Sequence, residues 1–144
     1  MITPLPSPDF LELHYRDDLL ILLGRWTRPI TLEESRRGYT RMLEAARQHH
    51  ARFWLLDIRR RPRVDSANVE WLVGSYYPEL PLALGGTVYL AYLLAPDLKR
   101  ELAASGLVPA DEAYEGQSFQ MGKFTAEQEA TAWLQAKQVA EKQL

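Results

Sequence analysis

Cysteine is absent from the 144 residues, which excludes a disulfide framework, a thiolate zinc site, an iron–sulfur cluster and a thiol nucleophile. Long hydrophobic runs are missing too. The greasiest stretches, Leu19–Leu23 and Val88–Ala95, fall far short of the ~20 residues a membrane helix needs, so the chain is not expected to be transmembrane. Nor is there an excess of one charge: 17 Lys and Arg against 19 Asp and Glu leave a net charge of −2. A nucleic-acid-binding domain would be clearly basic, so no nucleic acid partner is expected. The sequence contains no G-x-S-x-G elbow, no H-E-x-x-H, no P-loop and no G-x-G-x-x-G. Histidine is scarce. His14 lies in a predicted strand, and His49 and His50 close a predicted helix, where the dipole favours them. We therefore read no catalytic residue, no metal ligand set and no cofactor, and expect a non-enzyme. The opening Met1–Pro8 carries three prolines and no basic segment, which argues against a secretory signal and for a cytoplasmic protein.

What is present describes an ordinary globular domain: 47% of residues are apolar and 25% charged. A chain of this length buries roughly 68–70% of its unfolded surface, enough for a core without metal or disulfide. Residues 1–9 read as an irregular lead-in because proline removes backbone donors. One domain is expected over 10–138, with a polar tail over 139–144.

Within the domain, Phe10–Tyr15 and Leu19–Trp26 predict a hairpin. Thr31 and Glu34 form a capping box that starts a helix reaching about His49, with Tyr39, Met42, Leu43 and Ala46 on its core face. Phe53–Ile58 is a nearly continuous apolar run, as a strand covered on both faces would be. Asp65 and Ser66 stand where a second helix begins; its Val69, Leu72, Val73 and Tyr76 keep helical spacing until Pro78 and Pro81 disturb it. Gly85-Gly86 precedes a strand over 87–95. Pro96 then opens a helix that Gly106 stops. After a loop, Phe119–Phe124 predicts a short strand. Thr125 with Gln128 suggests another capping box, and Ala126, Ala130, Trp133 and Leu134 the apolar stripe of a last helix. The order is β-β-α-β-α-β-α-β-α, an α/β domain with a mixed sheet and helices packed against it.

Two stretches attract functional attention. The first is the strand-to-helix junction: Asp57, then Arg59, Arg60, Arg61 and Arg63, then Asp65 and Ser66. Guanidinium forks bind carboxylates and phosphates, and the carboxyl end of a strand is where α/β folds place ligands, so this junction is a candidate interaction edge. Ser66 is either a plain N-cap or a phosphosite, whose added charge would suit a helix start beside arginines. The second is the apolar group Trp71, Tyr76, Tyr77 and Leu80, continuing to Leu82 and Leu84. Trp71 and Tyr77 fall off the core stripe, and the group is a candidate ligand or partner surface.

Asp57 at the end of an apolar strand, followed eight positions later by Asp65-Ser66 at a helix start, resembles the STAS domain superfamily, in particular its SpoIIAA-like bacterial branch. The order of elements from about Phe10 to Leu134 is also similar, as is the final Phe124–Leu134 helix. The resemblance implies a small α/β module that binds a protein partner without catalysis, regulatory in the anti-sigma-factor-antagonist manner, with Ser66 at the position of the phosphorylated serine. The antagonists continue with a small residue and glycine; this chain continues Ala67-Asn68-Val69-Glu70-Trp71. Some SpoIIAA-like members are likened to CRAL-TRIO lipid carriers, and the apolar group supports the alternative of a small apolar-ligand or lipid-binding domain. A weaker alternative is a hydrolase using Asp57, Asp65 and His14. A homodimer is open as well, because the first hairpin offers an edge and Leu19–Leu23 needs cover on both faces.

Overall fold

The computed structural model describes residues 2–61, 63 and 65–143; Met1, Pro62 and Leu144, which the lead-in, the arginine loop and the tail were expected to include, lie outside the described residues, as does Val64. Six strands form one sheet in sequential order: β1 (Ile2–Leu5), β2 (Leu11–Arg16), β3 (Ile21–Trp26), β4 (Phe53–Asp57), β5 (Val88–Leu93) and β6 (Phe119–Phe124). β1 to β3 pair antiparallel, and β3 to β6 pair parallel. The expected α/β class and mixed sheet are thus present. The expected irregular lead-in is not: it supplies β1, which pairs with β2 and places Pro4 opposite His14. An edge strand tolerates proline because the missing N–H takes nothing from an interior ladder.

The helices are α1 (Leu32–His49), α2 (Ser66–Trp71), α3 (Tyr77–Leu84), α4 (Pro96–Ser105) and α5 (Glu127–Lys142). Parallel strands added always in the same direction, through crossovers of one hand, put every crossover helix on the same side of the sheet. The two cores follow that rule. On the crossover side, Leu22, Trp54, Leu56, Leu90 and Tyr92 pack with Tyr39 and Met42 of α1, Leu80 of α3 and Leu98 of α4. On the reverse side, Ile21, Phe53, Leu55, Tyr89 and Ala91 pack with Ala130 and Leu134 of α5. Of Leu19–Leu23, all but Leu20 thus find cover on one face or the other within their own chain, while Leu20 stays 54% exposed, which weakens one motive for a dimer. The last helix also runs through Lys142, so most of the expected tail is helical.

Local signals explain most boundaries. Thr31 and Glu34 make both halves of the capping box, and His50 ends α1 in the left-handed region. Gly106 ends α4 at φ 70°. The box expected at Thr125 does not form: α5 starts after Ala126 without a side-chain cap. Between α2 and α3 the chain stays helical through a π turn, Leu72–Tyr76, in which the Tyr77 N–H reaches the Leu72 carbonyl. The wider turn accommodates Pro78, which has no N–H to donate and would crowd the carbonyl four residues back. The extra residue advances the following positions by about 100°, one residue's rotation in an α-helix. Tyr76, on the predicted stripe, and Tyr77, off it, therefore both turn inward, at 4% exposure each.

Candidate functional site

The strand-to-helix junction divides across the sheet because neighbouring residues in a strand face opposite ways. Asp57 looks toward α5. It lies beside Arg25 of β3 in the parallel register, and the Arg25 Nη1 donates to its Oδ2 at 2.5 Å. Arg59 donates to the same carboxylate from Nε, Nη2 and its backbone N–H, at 3.0, 2.8 and 3.1 Å. The other arm of Arg25 donates to Glu127 at the start of α5, at 2.6 Å. Burial alone would raise the Asp57 carboxyl; the hydrogen bonds from Arg59 and Arg25 outweigh it and hold the pKa below the ordinary carboxylate value. Arg60 donates to the Thr27 carbonyl at 3.1 Å. Arg25, Thr27, Asp57, Arg59 and Arg60 border an open groove of about 480 Å³ with Glu12 and Trp26.

The junction is therefore not a single outward face. Asp57 is 5% exposed and, with Arg59, internally committed. Arg61 turns the other way and is buried, while Arg63 is exposed on the rim of the same side. Asp65, rather than Ser66, caps α2: its side chain accepts from the Asn68 N–H at 3.2 Å. Ser66 is the first helical residue and is exposed. The hydrolase grouping also disperses. His14 pairs across to Leu23, one row away from the Arg25–Asp57 row, and Asp65 lies on the opposite side of the sheet.

The apolar group is likewise not a surface. Tyr76, Tyr77 and Leu80 are core. Trp71 is half-buried, edge-on to Tyr39 and tilted against Tyr76, with the Arg36 guanidinium 5.5 Å from its ring. Leu82 alone of the run is broadly exposed, at 87%.

What the structure builds instead is a pocket on the crossover side, between α2 and α4 at the carboxyl ends of β4 to β6. Its volume is about 60 Å³. Leu72, Leu94, Leu98, Leu102, Val108 and Met121 give it an apolar wall, and Ile58 closes the base. Polar groups from several elements join the lining. The hydroxyls of Tyr39 and Tyr77 each meet that of Tyr92, at 2.9 and 2.6 Å. Burial raises the pKa of all three phenols, while the nearby Arg61 cation pulls Tyr39 and Tyr77 the other way. Asn68 accepts the Ser35 hydroxyl on Oδ1 at 2.7 Å. Lys123 is held at the edge by Asp111 at 2.6 Å.

Sequence reasoning placed Arg61, Asp65 and Tyr77 in candidate sites but missed Tyr39, Tyr92, Asn68, Arg25 and Glu127. One signal was available: Tyr92 is a hydroxyl inside a fully buried strand, and such a group needs a partner in the interior. Among the described residues no cluster of His, Asp and Glu is placed to hold a metal ion, and no helix is long and apolar enough to cross a membrane. No protein-family profile, curated protein or solved structure matches the chain.

Proposed function

We propose that this protein is a non-catalytic binding module that takes a small, mainly apolar molecule into the pocket between α2 and α4. The observation that carries this reading is the pocket's wall: aliphatic side chains from two helices and three strand ends converge there, among a smaller number of polar groups. Ligand sites of α/β sheets sit at the carboxyl ends of the strands and combine an apolar lining with few convergent polar groups. Native mass spectrometry of the purified protein, paired with solvent extraction, tests it. A bound small molecule that leaves on denaturation is expected. Protein of bare mass that is also unaffected thermally by any aliphatic compound tried would refute it.

A STAS-like regulatory role is the second reading, and one placement favours it. Exposed Ser66 and Arg63 stand at the start of α2, the helix whose inner side, through Val69, lines the pocket. The order of elements after β1 agrees with the resemblance drawn from Asp57 and Asp65-Ser66. In this reading a protein partner docks on the outer side of α2 and responds to phosphate on Ser66. Pull-down with wild type against Ser66→Glu is its test: identical partners and identical affinities would remove the switch.

A further inference from the structure

Arg61 is 8% exposed and lines the pocket, its guanidinium open to the pocket space, yet among the described residues nothing hydrogen-bonds to that group and no carboxylate lies within ion-pair distance. That is an unusual condition. A buried charge is ordinarily paired, because removing an ion from water without a counter-ion is expensive. The other internal cations of this protein obey the rule: Arg25 meets Asp57 and Glu127, Arg52 meets Glu141, and Lys123 meets Asp111.

A second shortage of partners sits beside it. Tyr39, Tyr92 and Tyr77 bring three O–H donors to a chain with only two links, Tyr39 to Tyr92 and Tyr92 to Tyr77. However the protons are arranged, one donor is left over. Asn68 adds to the surplus: its Oδ1 is occupied by Ser35, and its amide nitrogen has no partner among the described residues. Guanidinium, phenol and amide all donate, and all three line the same pocket. The remaining charges on its wall do not supply the acceptor. Asp65, the carboxylate in the lining, accepts at the α2 cap and lies beyond ion-pair distance of Arg61, and Lys123 already has Asp111.

From this surplus of donors we infer that the pocket recognises a carboxylate at the end of an aliphatic chain, with Arg61 as the charged anchor. The inference rests on the ligand-binding reading above and names the chemistry of its polar end. An aliphatic acid fits better than phosphate because hydrocarbon side chains, Leu72, Leu94, Leu98 and Met121 among them, share the lining with the donors. With about 60 Å³ available, the site is smaller than the about 150 Å³ that admits benzene. It holds a carboxyl group and a few carbons, whether these are a whole short acid or the end of a longer one.

Calorimetric titration at neutral pH with acetate, butyrate and octanoate, alongside butyramide and inorganic phosphate, tests the inference and separates those two sources. Butyrate is expected to bind at least about tenfold more tightly than butyramide, the usual worth of a charge-assisted hydrogen bond. Octanoate exceeding butyrate would assign the site to the end of a longer acid, and the reverse order to a short one. Arg61→Met should weaken butyrate by roughly tenfold to a hundredfold and leave butyramide unchanged, with Arg61→Lys in between. Far-UV circular dichroism shows whether each variant is folded. Tyr92→Phe, which retains the charge but breaks the hydroxyl chain, is a second variant and should weaken butyrate less than Arg61→Met does. Equal affinity for butyrate and butyramide, phosphate binding alone, or butyrate binding untouched in Arg61→Met would overturn the carboxylate inference while leaving the pocket reading intact. Failure of every compound to bind would overturn both.

Discussion

Asp57 and Ile58 are adjacent in the chain and look to opposite sides of the sheet, and the two regions they enter handle charge in opposite ways. On the α5 side, Asp57 is wrapped by Arg25 and Arg59, and the spare arm of Arg25 is taken by Glu127. On the crossover side, three residues beyond Ile58, Arg61 lies in a pocket lined largely by hydrocarbon and tyrosine, with no acid within ion-pair distance among the described residues. The first region is the larger opening and the more charged one. It was the natural place to look for a binding surface, yet its charges satisfy one another and work as a structural clamp between β3, β4 and α5. The second is smaller and mostly apolar, and among the described residues its guanidinium, one phenol and one amide are donors without a partner. Unmet hydrogen-bonding capacity, not the amount of charge, distinguishes a site from a brace.

Breaking the clamp should have the largest effect. Asp57→Ala leaves two guanidinium groups half-buried without their acceptor, and is expected to cost about 3 kcal/mol of unfolding free energy, measured in urea. Acidification probes the same bond without mutation. The folded pKa of Asp57 lies below its unfolded value, as does that of Glu141 beside Arg52. Each therefore stabilises above the unfolded value of about 4 and loses that contribution as pH falls through the folded one. Stability should be flat near neutrality and decline from about pH 4 downward, with a shallower decline in Asp57→Asn.

The opposite sign is expected across the sheet. Removing an unpaired buried cation relieves a desolvation cost, so Arg61→Met should raise the stability of the ligand-free protein by about 1 kcal/mol in the same denaturation experiment. A loss instead would mean that Arg61 is structurally paired, and the contrast between the two regions would fail. The smallest effects sharpen the boundary of α2. Asp65→Ala should cost about 1 kcal/mol as a lost cap, whereas Ser66→Ala should stay within about 0.5 kcal/mol, both read from thermal unfolding.

Much of this molecule was legible from its chain. The Thr31–Glu34 box, the apolar run at Phe53–Asp57 and the Gly106 stop are local devices, set by hydrogen bonds and periodicity within a few residues, and they place α1, β4 and the end of α4. Reading failed where a local rule met a longer-range condition. Proline argued against a strand at Ile2–Leu5, but at a sheet edge its missing donor does no harm. Tyr77 fell outside a regular helical stripe, because periodicity assumes a constant turn and the π turn before Pro78 does not keep one. Ser66 is the N-cap candidate from sequence; the structure instead gives the cap to Asp65 and makes Ser66 the first helical residue.

Composition and pattern by themselves determined the class of fold, most of the helix and strand stretches, and the absence of any cysteine chemistry, since these depend on residue type and spacing. The fate of each arginine in the 59–63 loop was decided only by tertiary structure. Sequence neighbours in a strand and the turn after it are sent to different faces, and whether a charge meets a partner depends on what a distant element brings there: Arg25 and Glu127 on one side, and a row of leucines and tyrosines on the other.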